Sequence, residues 1–304
     1  MRKPRPMVPG SIVRLAATSG PVPADRFAVG VQVLEGWGLV PRWEPRLFDR
    51  HGYLAGSDEA RANELVEAFT SEGVDGVIAA RGGYGAMRLL DSLVGRGASL
   101  PARLFLGFSD LTALHLHFMG VGDLVTFHGA NVTTLSQLDQ ESKDRTRNAL
   151  MGLHRQTNFS WDGLRPVASG RAAGRMVAAN LSLLGAMMGT RFAPKLAGSI
   201  LLLEDVGEPV YRLDRLLTQI ALAVEAAGIA GVVIGDLGVP AAENAQLEAV
   251  LQLFARAIGR PVVTGFPAGH GTRLHPVPEG VRAELDADQG ILRVIEDPYE
   301  DSNA

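Results

Sequence analysis

The first 130 residues alternate short apolar runs with longer stretches in which apolar positions recur at helical spacing. The runs predict strands at residues 11–17, 39–43, 74–80 and 104–108. The stretches between them predict helices at residues 25–36 and 57–69, and one that follows the glycine loop 81–85 and continues to residue 93. Because strands that alternate with helices form parallel βαβ units, we expect a Rossmann-like α/β domain.

The second half of the chain predicts a smaller, strand-rich α/β domain. Residues 140–171 are polar and lack a sustained period, so they predict a connection. The remaining patterns predict helices at 176–188, 210–227 and 247–258, strands at 199–204, 230–237 and 261–265, and a frayed acidic end at 296–304. We therefore predict an N-terminal domain at 1–145, a linker at 146–172 and a C-terminal domain at 173–304.

Composition narrows the class of protein. The chain has 304 residues, a formal net charge of -4 and no cysteine. This charge gives no basic surface for nucleic acid, and the lack of cysteine excludes disulfides, thiolate metal sites and a cysteine nucleophile. The apolar runs are too short to span a membrane, and prolines interrupt the basic N-terminus, unlike a secretory signal. We expect a soluble, cytoplasmic protein that binds neither nucleic acid nor membrane.

Ser109 lies where the apolar run 104–108 passes into a predicted helix. A serine at such a turn is held clear of the sheet beside the first free N–H groups of the helix, as nucleophilic hydrolases require. Serine is also a common helix N-cap, so the pattern alone leaves both interpretations open.

Three further strand ends carry residues that fit an acyl-transfer site. Glu204 follows the apolar run 199–203, His270 lies in a loop of small residues after the run 261–265, and Gly82 and Gly83 follow the run 74–80. Together with Ser109 they supply a nucleophile, a base, a carboxylate and amide donors for an oxyanion. Asp205 or Glu208 could replace Glu204 as the carboxylate, and the glycine loop matches neither a dinucleotide fingerprint nor a P-loop.

Several blocks in this order resemble the LD-carboxypeptidase family of serine peptidases, which also contains microcin-C immunity peptidases. The resemblance covers nearly the whole chain. Its blocks are AGSDEAR at 55–61, ARGGYGA at 80–86, GFSDLTALH at 107–115, FHG at 127–129, NLSLL at 180–184, LEDVGE at 203–208, YRLDR at 211–215 and GHG at 269–271. The chain departs from the family pattern at Ala178–Ala179 and at Ala130–Asn131, which leaves the exact substrate open.

The resemblance implies a Ser109–Glu204–His270 triad at the interface of two domains, without metal or other cofactor, in a protein that is commonly a homodimer. It implies a muropeptide tetrapeptide as substrate, from which terminal D-alanine is released at an L,D bond during cell-wall recycling.

The same assignment gives roles to the neighbouring residues. We expect the N–H groups of Asp110 and Gly83 to form the oxyanion hole. We expect Arg81, Gly82 and Tyr84 to contact substrate, with Arg81 binding the terminal carboxylate unless it forms a structural salt bridge. His115 and His117 are two positions apart on a predicted helix and make a poor metal-chelating pair. The role of His128, after a predicted strand, stays open.

Three alternatives remain. A microcin-type immunity peptidase would use the same triad on a peptidyl-nucleotide, and it would need aromatic side chains that stack on a base. After residue 200 the aromatic residues are Tyr211, Phe254, Phe266 and Tyr299, most of which look structural. A non-catalytic binder of small anions could use the glycine loop and helix N-termini. A dinucleotide-dependent enzyme is suggested by the strand–helix alternation alone.

Overall fold

Five parallel strands from the first half of the chain form most of a six-stranded sheet. The computed structural model describes residues 1–300. The strands are β1 (Ile12–Ala16), β2 (Val40–Arg42), β3 (Val74–Ala79), β4 (Leu104–Gly107) and β5 (Thr126–His128). Their order in the sheet is β2-β1-β3-β4-β5. Every residue of β4 is buried, as expected for a parallel strand covered by helices on both faces.

The helices of this half connect the strands. They are α1 (Ala24–Gly36), α2 (Asp58–Thr70), α3 (Leu90–Leu93), α4 (Thr112–Val121) and α5 (Val132–Leu135). Short 3-10 turns cover Pro45–Phe48, Ala86–Leu89, Gly97–Ser99 and Ser109–Leu111. Ser57 caps α2, because its Oγ accepts a hydrogen bond from the Ala60 N–H at 3.2 Å.

The second half of the chain forms an eight-stranded sheet. Its strands are β6 (Ser160–Trp161), β7 (Arg165–Ala168), β8 (Arg171–Asn180), β9 (Ser199–Glu204), β10 (Gly231–Ile234), β11 (Val262–Thr264), β13 (Arg282–Asp286) and β14 (Ile291–Val294). The order is β6-β14-β13-β8-β9-β10-β11-β7. Strands β8 to β11 are parallel neighbours, so their carboxyl ends meet at one edge. This mixed α/β architecture with a parallel core and a second strand-rich sheet is the predicted fold class.

The remaining helices belong to this half and to the segment that precedes it. They are α6 (Gln140–Met151), α7 (Arg155–Asn158), α8 (Leu181–Met187), α9 (Val210–Leu222) and α10 (Asn244–Ile258). Short 3-10 turns cover Val224–Ala226 and Ala241–Glu243. No helix within residues 1–300 combines the length and apolar character that crossing a membrane requires.

Strand pairing and hydrogen bonds connect the two halves of the chain. Strand β12 (Val277–Glu279) comes from the second half of the chain but pairs antiparallel with β5. From there Glu279 Oε2 accepts a hydrogen bond from the Ala178 N–H of β8 at 3.0 Å. At the start of α4, Thr112 Oγ1 accepts one from the Asn180 N–H at 2.9 Å. These bonds couple the strand end beside Glu204 to the helix that follows Ser109.

Two sequence-based expectations in this region are wrong. Residues 176–188 are not one helix, because Arg171–Asn180 forms β8 and the helix begins at Leu181. The alanine-rich segment favours a helix locally, but pairing with β9 and β13 on its two sides overrides that propensity. Residues 140–171 are also not an irregular connection, since they contain α6, α7 and two edge strands. The division of the chain at 145 and 173 remains a prediction.

The acidic end is packed as far as residue 300, contrary to the expectation of fraying. Tyr299 is buried, its hydroxyl donates to the Ala149 carbonyl, and the Arg155 guanidinium lies 4.7 Å from its ring centroid. These contacts bury the aromatic ring of Tyr299, and the acidic composition of the segment gave no indication of that burial. Residues 301–304 of the predicted frayed segment lie outside the described residues.

Candidate active site

Ser109 occupies a strained turn between β4 and α4. Phe108 is still extended, with φ -151°, and Ser109 then adopts φ 66° before the 3-10 turn Ser109–Leu111. A positive φ is uncommon for a residue with a side chain, and it persists only where the surrounding structure fixes it. Ser109 caps neither helical segment, because Phe108 and Leu111 hold those positions. The N-cap interpretation is therefore wrong, and the strain is of the kind found at functional sites.

His270 contacts Ser109 directly. Its Nε2 lies 3.0 Å from Ser109 Oγ, within hydrogen-bond distance. His270 belongs to the loop after β11, where Gly269 has φ 153° and lies so close to Asp236 that a Cβ would stand 2.7 Å from the Asp236 Cβ. A glycine at 269 thus lets the loop pass this residue and present the imidazole to the serine.

Glu204 contacts the other nitrogen of the same imidazole. Its Oε2 lies 3.0 Å from His270 Nδ1, and its side chain is fully buried at the end of β9. Because β9, β10 and β11 are parallel neighbours, the end of β9 and the loop after β11 meet at one sheet edge. The structure thus brings together the three residues that the sequence singled out from separate strand ends.

The two other carboxylates considered for this position point elsewhere. Asp205 accepts hydrogen bonds from Asn180 Nδ2 at 3.1 Å and from the Ser182 hydroxyl at 2.7 Å. Glu208 forms an ion pair with Arg212 at 3.1 Å. Glu204 is therefore the carboxylate that the geometry favours.

Burial and charge shift the pKa values of both Glu204 and His270. Burial raises the pKa of the Glu204 carboxyl, against the opposing effect of His270. Burial alone would lower the pKa of His270, but the Glu204 carboxylate, with smaller contributions from Asp205 and Asp236, raises it above its ordinary value. The Glu204 carboxylate thus stabilises the protonated form of the His270 imidazole, which is the form that a base reaches after it accepts a proton.

The glycine loop 81–85 lies against the serine. A Cβ on Gly82 would stand 3.2 Å from the Ser109 Cβ and 3.3 Å from Asn131 Nδ2. Asp110 ties the loop to the turn, because its buried carboxylate accepts a hydrogen bond from the Ala86 N–H at 2.7 Å. Within residues 1–300, neither the Gly83 nor the Asp110 N–H donates to another group. Both amides thus remain available for hydrogen bonds to a ligand.

A cavity of about 350 Å³ opens over these residues. It is lined by Ser109, His270, Gly82 and Gly83 and by two arginines, Arg26 and Arg81. The Arg81 guanidinium donates to the Pro21 carbonyl rather than to a carboxylate, so the structural salt bridge considered for it is absent among the described residues. Tyr84 does not line the cavity; it is exposed and packs its ring edge-on against Tyr53 at 5.5 Å. Its role in substrate binding stays a prediction.

Sequence reasoning missed Arg26. It lies in the first turn of α1, directly after the loop at the carboxyl end of β1. That position is at the same sheet edge as the glycine loop, since β1 and β3 are parallel. The sequence could have indicated Arg26 through the fold topology, because the first turn of a helix that follows a parallel strand lies at the sheet edge where sites form.

Three further histidines that the sequence analysis considered, at positions 115, 117 and 128, are buried beneath the site. His115 is buried and contacts Thr126 Oγ1 and the Gly107 carbonyl, each at 2.8 Å, and burial lowers its pKa to about 4. His117 is also buried, and its ring packs near Phe192, with 6.2 Å between the centroids. His128 is buried behind Phe108, with 6.1 Å between the ring centroids, and does not line the cavity. These three rings are part of the interior beneath the nucleophile strand.

Comparison with known proteins now decides the family. The model of the LD-carboxypeptidase N-terminal domain matches residues 13–129, and that of the C-terminal domain matches residues 173–285. The chain belongs to the LD-carboxypeptidase family. The matches extend into both sheets, so the resemblance seen in the sequence blocks is confirmed.

Relatives with full-length similarity carry carboxypeptidase names. A Streptomyces coelicolor protein whose carboxypeptidase activity is inferred is 39% identical, over 95% of this chain and 95% of its own length. The murein tetrapeptide carboxypeptidase of Pseudomonas aeruginosa is 33% identical, over 91% of this chain and 94% of its own length. These names support a carboxypeptidase role for the family member described here.

Solved structures agree on the fold. The muramoyltetrapeptide carboxypeptidase of Oxalobacter formigenes has a TM-score of 0.81 at 27% identity, over 96% of this chain and 100% of that structure. The microcin C7 self-immunity protein MccF has a TM-score of 0.85 at 20% identity, over 99% of this chain and 100% of that structure. At that identity, the likeness to MccF shows the shared fold alone.

Proposed function

We propose that this protein is a serine carboxypeptidase that releases terminal D-alanine from muropeptide tetrapeptides by hydrolysing an L,D peptide bond. The observation that carries the proposal is the continuous contact from Ser109 through His270 to Glu204, with distances of 3.0 Å at both steps. A nucleophile, a base and a buried carboxylate in hydrogen-bond reach are the parts of a serine peptidase triad. The names of the similar proteins support the choice of substrate class.

The first half of the reaction forms an acyl-enzyme. His270 accepts the Ser109 proton as Oγ attacks the carbonyl of the L-centre, and Glu204 stabilises the imidazolium that results. The N–H groups of Gly83 and Asp110 donate to the oxyanion of the tetrahedral intermediate. Loss of one such donor typically lowers turnover by about 100- to 1,000-fold. His270 then donates the proton to the departing D-alanine nitrogen as the C–N bond breaks.

The second half restores the enzyme. A water molecule loses a proton to His270 and attacks the ester carbonyl, and the same amides bind the second oxyanion. Collapse of this intermediate breaks the bond to Ser109 Oγ, which recovers its proton from His270. No metal or cofactor takes part in this sequence. Arg81 serves to bind the terminal carboxylate of the substrate, since its guanidinium lines the cavity and has no carboxylate partner within residues 1–300.

The cavity argues for a peptide over a peptidyl-nucleotide. Phe108 is the one aromatic residue that lines the cavity among the described residues, and it is buried. Phe254, Phe266 and Tyr299 are buried in the interior, and the exposed Tyr211 does not line the cavity. A base would thus lack a stacking platform here. A cytoplasmic site of action in cell-wall recycling and a homodimeric state complete the proposal, on the family resemblance.

One experiment tests the proposal. The protein is incubated in the presence of a chelator with a tetrapeptide that ends in D-alanine and with its L-alanine counterpart, and alanine release is followed. We expect release from the D-terminated peptide alone, and loss of release in Ser109→Ala and His270→Ala. Equal cleavage of both peptides would contradict L,D specificity, and full activity of Ser109→Ala would contradict the mechanism. Peptide binding without turnover in the wild type would instead support a non-catalytic binder.

A further inference from the structure

The active-site cavity has a one-sided charge. Arg26 and Arg81 both line it, and no Asp or Glu side chain does so among the described residues. This bias contrasts with the whole chain, in which 33 acidic residues outnumber 29 Lys and Arg. Two positively charged side chains in the cavity of an acidic protein favour a ligand with more than one negative group.

The two arginines are not equivalent. Arg81 is anchored to the Pro21 carbonyl, and the loop that carries it contacts the nucleophile through Gly82. Arg26 projects from α1, is exposed, and has neither an ion pair nor a side-chain hydrogen bond within residues 1–300. An unpaired guanidinium keeps all five donors free for a planar, bidentate contact with a carboxylate. Arg26 is therefore free to bind a second carboxylate, apart from the one assigned to Arg81.

The size of the cavity limits where that carboxylate can be on the substrate. A volume of about 350 Å³ is near the lower end for ligand pockets. We place in it the residues on either side of the scissile bond, because Ser109 lines the same cavity. The departing D-alanine contributes its terminal carboxylate, and the next part of the substrate at the scissile bond is the side chain of the residue whose carbonyl is attacked.

We infer that Arg26 is a specificity-determining residue that binds a carboxylate at the end of the side chain of the residue attacked by Ser109. This inference rests on the proposed function and deepens it. The substrate would then carry a diamino acid with a side-chain carboxylate, as in diaminopimelate. Lysine at that position would bring an ammonium group without a carboxylate into a cavity lined by two cations and would be disfavoured.

The test uses two peptides that differ in one charge. One is the D-alanine-terminated tetrapeptide with diaminopimelate at the third position, and the other has the side-chain carboxylate of that residue converted to an amide. For the wild type we expect kcat/KM to be about 10- to 100-fold higher for the free carboxylate, the range for a charge-assisted hydrogen bond. Arg26→Ala should bring this ratio close to one, mainly through KM, and Arg26→Lys should retain part of it.

A matched variant controls for the loss of charge. Arg256→Ala removes an exposed arginine from α10, outside the cavity, and should keep the wild-type ratio. An unchanged ratio in Arg26→Ala, or an equal loss on both peptides, would overturn the inference. If the wild type releases no alanine from either peptide, the proposed function fails, and calorimetry of the two peptides then tests Arg26. In that case the inference stands if the preference for the carboxylate is lost in Arg26→Ala, and it falls if the preference is absent or unchanged.

Discussion

Gly82→Ala is a small change that the structure predicts to act on the nucleophile itself. The new methyl group would stand 3.2 Å from the Ser109 Cβ, 3.3 Å from Asn131 Nδ2 and 3.4 Å from the Phe108 carbonyl oxygen. Carbon atoms pack best at about 3.5–4.0 Å. The backbone of Gly82 does not have a positive φ, so an alanine is strained by its neighbours alone and not by its own conformation.

The magnitude follows from the size of this overlap. Relief of the overlap requires a shift of about 0.3–0.8 Å, and the Ser109 side chain is one of the groups that can move. Such a shift would disturb the 3.0 Å contact between Ser109 Oγ and His270 Nε2. Since a misplacement of about 1 Å can cost on the order of 100-fold in rate, we expect kcat to fall about 10-fold. Overpacking should lower the free energy of unfolding by about 1–3 kcal/mol.

The assay is steady-state release of D-alanine from the tetrapeptide, together with urea unfolding of each variant. Gly120→Ala is the matched control, because Gly120 lies in α4 and a Cβ there would have nothing within 4 Å. That variant should keep its kcat and gain about 0.5–1 kcal/mol of stability. A Gly82→Ala enzyme with wild-type kcat would refute the claim that position 82 packs too closely against Ser109 to accept a methyl group.

Three further predictions concern the carboxylates and the pH dependence. Glu204→Gln should lower kcat by about 100-fold or more, whereas Glu208→Gln should change kcat less than about twofold. If steady-state kinetics reverse this order, Glu208 is the carboxylate that orients His270. Because the charge of Glu204 raises the pKa of His270, and because a protonated imidazole cannot accept a proton, kcat/KM should fall as the pH drops through that pKa. The pH–rate profile of Glu204→Gln should show this acid limb at lower pH, and an unmoved limb would contradict the assignment. Burial raises the pKa of Glu279 from 4.5 to about 8, so its neutral carboxyl contributes most stability below pH 4.5 and progressively less as the pH rises towards 8. In urea unfolding, the free energy of unfolding of Glu279→Gln should therefore decline less over this pH range than that of the wild type. An equal decline in both proteins would argue against a neutral Glu279.

Local patterns of apolar residues were sufficient to predict the parallel sheet around Ser109. Strand β4 and the helix cap at Ser57 depend on interactions within a few residues, so they can be read along the chain. Strand β8 could not be read in this way. Its alanine-rich segment has little intrinsic preference for a strand, and its conformation depends on partners that lie up to 115 residues away, such as Arg171 opposite Asp286.

The sequence by itself determined which residue types stand at the strand ends: Ser109, Glu204, His270 and the glycine loop. It could do so because parallel strands place their carboxyl ends at one edge, whatever the details of packing. The geometric preference for Glu204 over Asp205 and Glu208 comes only from the tertiary structure, since it depends on a 3.0 Å contact between residues 66 positions apart. It also placed Arg26 in the cavity and left Tyr84 outside it. Side-chain direction and cavity shape come from long-range packing, and the order of residues along the chain does not encode them locally.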